Sequence, residues 1–211
     1  TRKGDLSALR QEGLSSAGGS IVSFIDDDVY CPPGWTQGVY QSFRQGVVGV
    51  SGPTTITEEF RSNRDLFKFK WAKRLYDLWF LGGKASVPGQ LSECGAPTTG
   101  SNDDQCTYEG EVHYLEACNM SVWKEAALDV GGFDNHYYST SEWCEVDLAL
   151  KLKSRGRLNF HGRCGLYHRP SKAGVYRHRL STKHRWDNFR FFQDRWVRRS
   201  FKRLTYWIFI W

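Results

Sequence analysis

The chain has no apolar run approaching the roughly 18 residues that a membrane-crossing helix requires. Its first residues, Thr1-Arg2-Lys3-Gly4-Asp5, lead into no apolar signal-peptide core, so secretion is not expected. Its six cysteines (31, 94, 106, 118, 144 and 164) form no C-x-x-C pair, which argues against a zinc ribbon or a thioredoxin-type motif. Cys94 and Cys106 flank a loop of Gly, Pro, Thr, Asn and Asp and have the setting for a bridge. Without a secretory signal, reduced thiols remain the default. No internal repeat is visible. What is present excludes disorder and a coiled coil: 211 residues with 40% hydrophobic and 25% charged residues suffice for one α/β domain or two small ones.

The net charge of +6 is unevenly spread. Residues 171–211 carry 11 Lys/Arg against two Asp, whereas the first 170 hold 18 basic and 21 acidic groups. The basic tail is interleaved with aromatics from Trp186 to Trp211. That mixture suits an anionic membrane surface or nucleic acid, and equally a helix packed on its own domain.

Local patterns predict an alternation of helices and strands. A helix is expected over 4–17, closed by Gly18-Gly19, and a short β-branched strand over 20–25. Proline before Gly34 predicts a helix over 34–45, and Val47–Val50 reads as a second buried strand. Residues 58–82 read as helical and 92–111 as a long loop. One or two strands are expected within 113–122, then a helix at 124–130 stopped by Gly131-Gly132. The clearest helix spans 142–155, ended by Gly156, and 158–168 returns as a strand or hairpin. This order predicts an α/β layer architecture.

Asp26-Asp27-Asp28 follows directly on the first strand. Three adjacent carboxylates repel one another unless a cation or strong hydrogen bonds offset the charge. A hard divalent ion does so, and strand ends of α/β sheets are where ligands bind. The alternative is a solvated turn in which one Asp caps the next helix. Glu145 shares a helical stripe with Leu148, Ala149 and Leu152, which turns a carboxylate inward at a helix start. It is a candidate general base or, alternatively, a first-turn acid answering the helix dipole. Asp147 stands four residues before Lys151, the spacing of a surface ion pair. Tyr137, Tyr138, Trp143 and Trp123 suit either sugar stacking or a core. Arg169, Lys172, Arg177 and His178 suit either a diphosphate-contacting loop or a solvated basic face.

The segments Arg10–Asp28 with Pro33-Gly34-Trp35, Leu115–Asp134 (ending Gly-Gly-Phe-Asp) and Ser141–Gly156 stand in the order of a known family. Together they resemble the inverting GT-A family 2 glycosyltransferases over about residues 4–170. The resemblance implies a GT-A, Rossmann-like mixed sheet flanked by helices, with 171–211 as a basic aromatic helical extension. It implies a nucleotide-diphosphosugar donor, Mn²⁺ or Mg²⁺, and transfer to a hydroxyl of a glycan or lipid-linked glycan, as in polysaccharide biosynthesis. Asp26, Asp28 and His168 are then the expected metal ligands, although His168 also fits a satisfied strand-end histidine. Arg10, Asp26, Asp27 and Arg169 are the expected donor contacts. Asn119, Trp143 and Tyr138 are the candidate acceptor contacts. Glu145 is the expected base, with Glu142 and Asp147 as the neighbouring acids of the motif; Cys144-Glu145 stands where the family commonly has Glu-Asp.

Two further βα units, which hold the nucleotide base in that family, precede these motifs and have no counterpart here. The chain is therefore expected to be an N-terminally truncated fragment, one completed by a second chain, or one whose donor binding is impaired. A cytoplasmic location with peripheral contact to the inner membrane face is expected, and nucleic acid is not the expected partner. The rival reading is a non-catalytic module whose basic tail binds nucleic acid or anionic lipid.

Overall fold

The computed structural model describes residues 5–56, 70–82, 86–98, 106–169 and 182–210. Chain order is α1 (Leu6–Ser16), β1 (Ile21–Ile25), β2 (Val29–Tyr30), α2 (Trp35–Ser42), β3 (Val47–Ser51), β4 (Thr54–Ile56) and α3 (Lys70–Leu81). It continues with β5 (Gly110–Glu111), β6 (Asn119–Trp123), α4 (Lys124–Asp129), α5 (Cys144–Leu152), β7 (Arg157–Phe160) and β8 (Leu166–His168). Two tail helices, α6 (Thr182–Trp196) and α7 (Phe201–Ile210), complete the order. Of the helix expected over 58–82, the part from Lys70 is present, and 58–69 lies outside the described residues. Lys172, Arg177 and His178 also lie outside them.

The strands form a five-stranded mixed sheet, β1-β6-β3-β7-β5, and a small sheet, β2-β8-β4. β3 runs parallel to β7 and antiparallel to β6. The stretch 158–168 is not a hairpin. A 3₁₀ turn at Gly162–Cys164 carries the chain from β7 in the large sheet to β8 in the small one. That turn sits tightly against two glycines. A Cβ on Gly38 would lie 2.4 Å from the Arg163 carbonyl oxygen, and one on Gly52 would lie 2.5 Å from the Cys164 carbonyl carbon. Only a residue without a side chain permits such approach.

Central strands are buried on both faces, as expected of Val-rich strands covered by helices. Val47, Val50, Met120, Val122 and Leu158 are each almost wholly buried. Helix α1 ends at Ser16, where the Lys124 amine donates to the carbonyls of Ser15 (3.0 Å) and Ala17 (2.6 Å). A cation thus satisfies orphan acceptors at a helix C-terminus. All six cysteines are free thiols, so Cys94 and Cys106 form no bridge.

Of the basic tail, α6 packs inward. Phe192 joins the main core beside Leu148 and Leu152, and Asn188 and Gln193 are fully buried. Phe189 joins Tyr76, Phe80 and Tyr206 in a second cluster shared by α3, α6 and α7.

Candidate active site

β1 delivers Asp26 at its C-terminal end, and the chain reverses through Asp27 and Asp28 into β2. β2 pairs with β8 so that Val29 faces His168, and the Arg169 amide donates to the Asp28 carbonyl at 2.9 Å. Strand register therefore sets His168 against the acidic turn. His168 Nε2 lies 2.9 Å from Asp28 Oδ1 and 4.0 Å from Asp26 Oδ2. One ligand atom from each of Asp26, Asp28 and His168 falls within 4.8 Å of the others. All three side chains are partly exposed, while Asp27 points out to solvent. Two carboxylates and an imidazole at the surface suit a divalent cation that keeps open positions for water or phosphate oxygens. Burial raises the Asp26 carboxyl above its usual range, and the charges of His168 and Arg10 oppose that rise.

Arg10, on α1, connects this group to the acidic motif. Its side chain is 12% exposed and its Nη1 lies 3.8 Å from Glu145 Oε2. The same guanidinium donates to the Cys144 sulfur at 3.3 Å, and that thiol donates to Glu145 Oε2 at 3.5 Å. Glu145 stands on the first turn of α5, with Leu148, Ala149 and Leu152 of its stripe fully buried. Burial pushes its carboxyl up, with Arg10 opposing, so it is a more basic carboxylate than an exposed one. Cys144 is wholly buried, and burial pushes its thiol up as well. The Arg10–Cys144–Glu145 linkage joins residues more than 130 positions apart, and no local sequence signal announces it.

The turn before α5 is wound tightly. Ser139 (φ 58°), Ser141 (φ 53°) and Trp143 (φ 74°) are all left-handed, a conformation costly for side chains other than glycine. Its support comes from both ends of the chain. Asp5 Oδ1 accepts from the Ser139 amide at 2.7 Å, and Ser141 Oγ accepts from the Ser7 amide at 3.0 Å. From α6, Asn188 exchanges two hydrogen bonds with the Tyr138 backbone, and Asp187 accepts from the Tyr138 hydroxyl at 2.6 Å.

The remaining candidates have other partners. Asp147 is not on a surface. It is fully buried, with Lys151 at 3.1 Å, Arg195 at 3.3 Å and a hydrogen bond from the Trp196 indole at 2.7 Å. The expected Lys151 pair forms, but α6 covers it. Glu142 accepts from the Thr140 hydroxyl at 2.6 Å and lies 3.4 Å from Arg185. Trp143 stacks on Phe192 with ring centres 4.5 Å apart. Asn119 is buried, and its amide nitrogen donates to the carbonyls of Gly52 (3.0 Å), Pro53 (3.4 Å) and Cys164 (2.8 Å). It clasps the β3–β4 connection to the 3₁₀ turn. Arg169 is exposed beside the Asp28 backbone.

This mixed sheet, with its acidic group at the end of β1, defines the fold of a GT-A glycosyltransferase. Over residues 1–94 the chain matches the family model described as Glycosyl transferase family 2. Among solved structures the chain is similar to GalNAc-T7 with UDP, GalNAc and Mn²⁺. The TM-score is 0.52 at 12% identity, over 82% of this chain and 32% of that one. It also aligns with the mannosyltransferase PcManGT from Pyrobaculum calidifontis in complex with GDP-Man and Mn²⁺ (TM-score 0.47, 15% identity, 83% and 39% of the two chains). A mycobacterial protein aligns at TM-score 0.46 and 13% identity, over 84% and 47%. The chain thus spans 32–47% of the length of these structures. No curated protein matches it.

Proposed function

We propose that the chain is part of a metal-dependent, inverting glycosyltransferase that moves a sugar from a nucleotide diphosphate to an acceptor hydroxyl. The observation that carries the reading is the convergence of Asp26, Asp28 and His168 within 4.8 Å, with Arg10 and Glu145 on the adjoining helices. Asp26, Asp28 and His168 would hold a divalent cation, Mn²⁺ or Mg²⁺, which when bound supplies positive charge for the departing diphosphate. In the reaction Glu145 accepts the proton of the acceptor hydroxyl. The hydroxyl oxygen then attacks the anomeric carbon from the face opposite the diphosphate. The carbon–oxygen bond to the diphosphate breaks, its electron pair leaves with the diphosphate, and the anomeric configuration inverts. Arg10 keeps Glu145 ionised and oriented between turnovers, against the burial that favours the neutral form.

The test is calorimetry with UDP, GDP and dTDP, with and without Mn²⁺. Nucleotide binding that requires the metal supports the reading. Metal-independent or absent binding of all three counts against it. Phe189, Phe192 and Gln193 of α6 are buried, which supports the reading of that helix as packed on its own domain.

A further inference from the structure

Helices α3 and α7 have a side that neither the core nor the acidic group uses. They lie together: Tyr76 and Phe80 of α3 meet Tyr206 of α7 with ring centres 6.2 and 5.3 Å apart. The Trp79 indole donates to the Thr205 hydroxyl at 3.4 Å. Each helix buries one stripe in this cluster, and the opposite stripe should then be polar if it met only water. It is apolar instead. Leu75 is 52% exposed, Leu78 73% and Trp79 51% on α3, and Phe201 is 70%, Leu204 56% and Ile208 70% on α7. Spacings of three, four and seven residues keep each set on one side of its helix.

Exposed apolar residues scattered singly are ordinary, whereas neighbouring stripes of them mark an interaction surface. Lys70, Lys73 and Arg74 accompany the first stripe, and Arg198, Arg199 and Lys202 the second, all exposed. The acids nearby are committed, Asp77 to Lys73 at 2.6 Å and Asp194 to buried Arg203. An apolar face of Leu, Trp, Phe and Ile bordered by Lys and Arg is the composition of helices that lie in a bilayer interface. A second copy of this chain would set one basic border against another, and like charges oppose that pairing. Anionic headgroups complement it. No helix among the described residues is long and apolar enough to cross a membrane.

We infer that the α3–α7 face docks on an anionic lipid surface. Its two apolar stripes enter the boundary between headgroups and acyl chains, and its Lys/Arg border meets lipid phosphates. This goes beyond the transfer reaction and does not depend on it.

The experiment is flotation with vesicles of phosphatidylcholine, with and without phosphatidylglycerol. Wild-type protein should float with the anionic vesicles and be released by salt. The variant Leu78→Glu/Ile208→Glu changes two exposed side chains, so its circular dichroism and thermal midpoint should match wild type. Its partitioning should fall by about tenfold or more. Arg199→Glu/Lys202→Glu should lose the preference for anionic vesicles. The inference is overturned if wild type does not float, or if the double-Glu variant floats as well as wild type. It is also overturned if light scattering shows a dimer that these glutamates dissociate while vesicle binding is unaffected, for the face would then join two copies.

Discussion

Arg195 lies between two acids, its Nη1 2.6 Å from Asp134 Oδ2 and 3.3 Å from Asp147 Oδ1. The first acid ends the Gly-Gly-Phe-Asp segment and the second belongs to the acidic helix. One guanidinium on α6 therefore fastens two motifs to each other through both acids. Glu145, two residues before Asp147, is left as the carboxylate of that helix turned toward Arg10.

Separating those roles gives the first expected outcome. Glu145→Gln should lower turnover by about 10²–10⁴-fold with little change in nucleotide affinity, because the amide cannot take the proton. Asp147→Asn should instead cost stability. It weakens a buried ion pair, a change in the class worth about 3–5 kcal/mol, while turnover per folded molecule stays near wild type. Denaturant melts beside initial rates distinguish the two; a Glu145→Gln enzyme of full activity would remove the base assignment.

Asp28→Asn should weaken Mn²⁺-dependent nucleotide binding by about tenfold or more. The side chain is partly exposed and retains a hydrogen bond to His168 through its amide, so the metal-free thermal midpoint should barely move. Calorimetry showing unaltered affinity would refute the metal site.

Arg195→Gln should expose a pH-dependent contribution. Burial pushes the Asp134 carboxyl up, but hydrogen bonds from His136 and Arg195 outweigh it and hold the group at about 2. A carboxylate depressed in the fold binds fewer protons folded than unfolded, so its stabilisation is complete above the usual Asp range. It is lost as pH falls toward about 2. The thermal-midpoint gap between wild type and Arg195→Gln should therefore narrow from neutral pH to about pH 2.5. A constant gap would show that packing, not the ion pair, is what Arg195 supplies.

Asn119→Ala strips three carbonyls of their shared donor. It should destabilise the chain by about 1–3 kcal/mol in urea melts, with an unchanged denaturant slope. A neutral result would mean that water replaces the amide without penalty.

Much of the frame was legible in local pattern. The 4–17 expectation became Leu6–Ser16, and the β-branched run before the acids became β1. The acidic triplet stood at a strand end as expected, because hydrophobic period and charge are local signals. The His168 placement rested on the family likeness, and the β2–β8 register supplies its physical cause. The surface expectation for Asp147 failed for a different reason. An i,i+4 spacing says that Lys151 is within reach, but not what covers the pair. The cover is α6, whose Trp196 lies 49 positions along the chain. The reading of 158–168 as a strand or hairpin fell short likewise, since local composition does not reveal that Gly162–Cys164 carries the chain from one sheet to the other.

The left-handed turn at 139–143 also orders the steps of assembly. Its ties reach back 134 positions to Asp5 and Ser7 and forward 50 to Asn188. During synthesis β1, β6 and β3 can pair once residue 123 has emerged, and Asp28 can meet His168 soon after residue 168. The turn that aims α5 completes its ties only when α6 arrives, because Asp187 and Asn188 are the last of its partners in chain order. Glu145 is therefore the last element of the constellation to acquire its final orientation. A nascent chain halted before residue 196 would bring its carboxylates together without aligning Glu145.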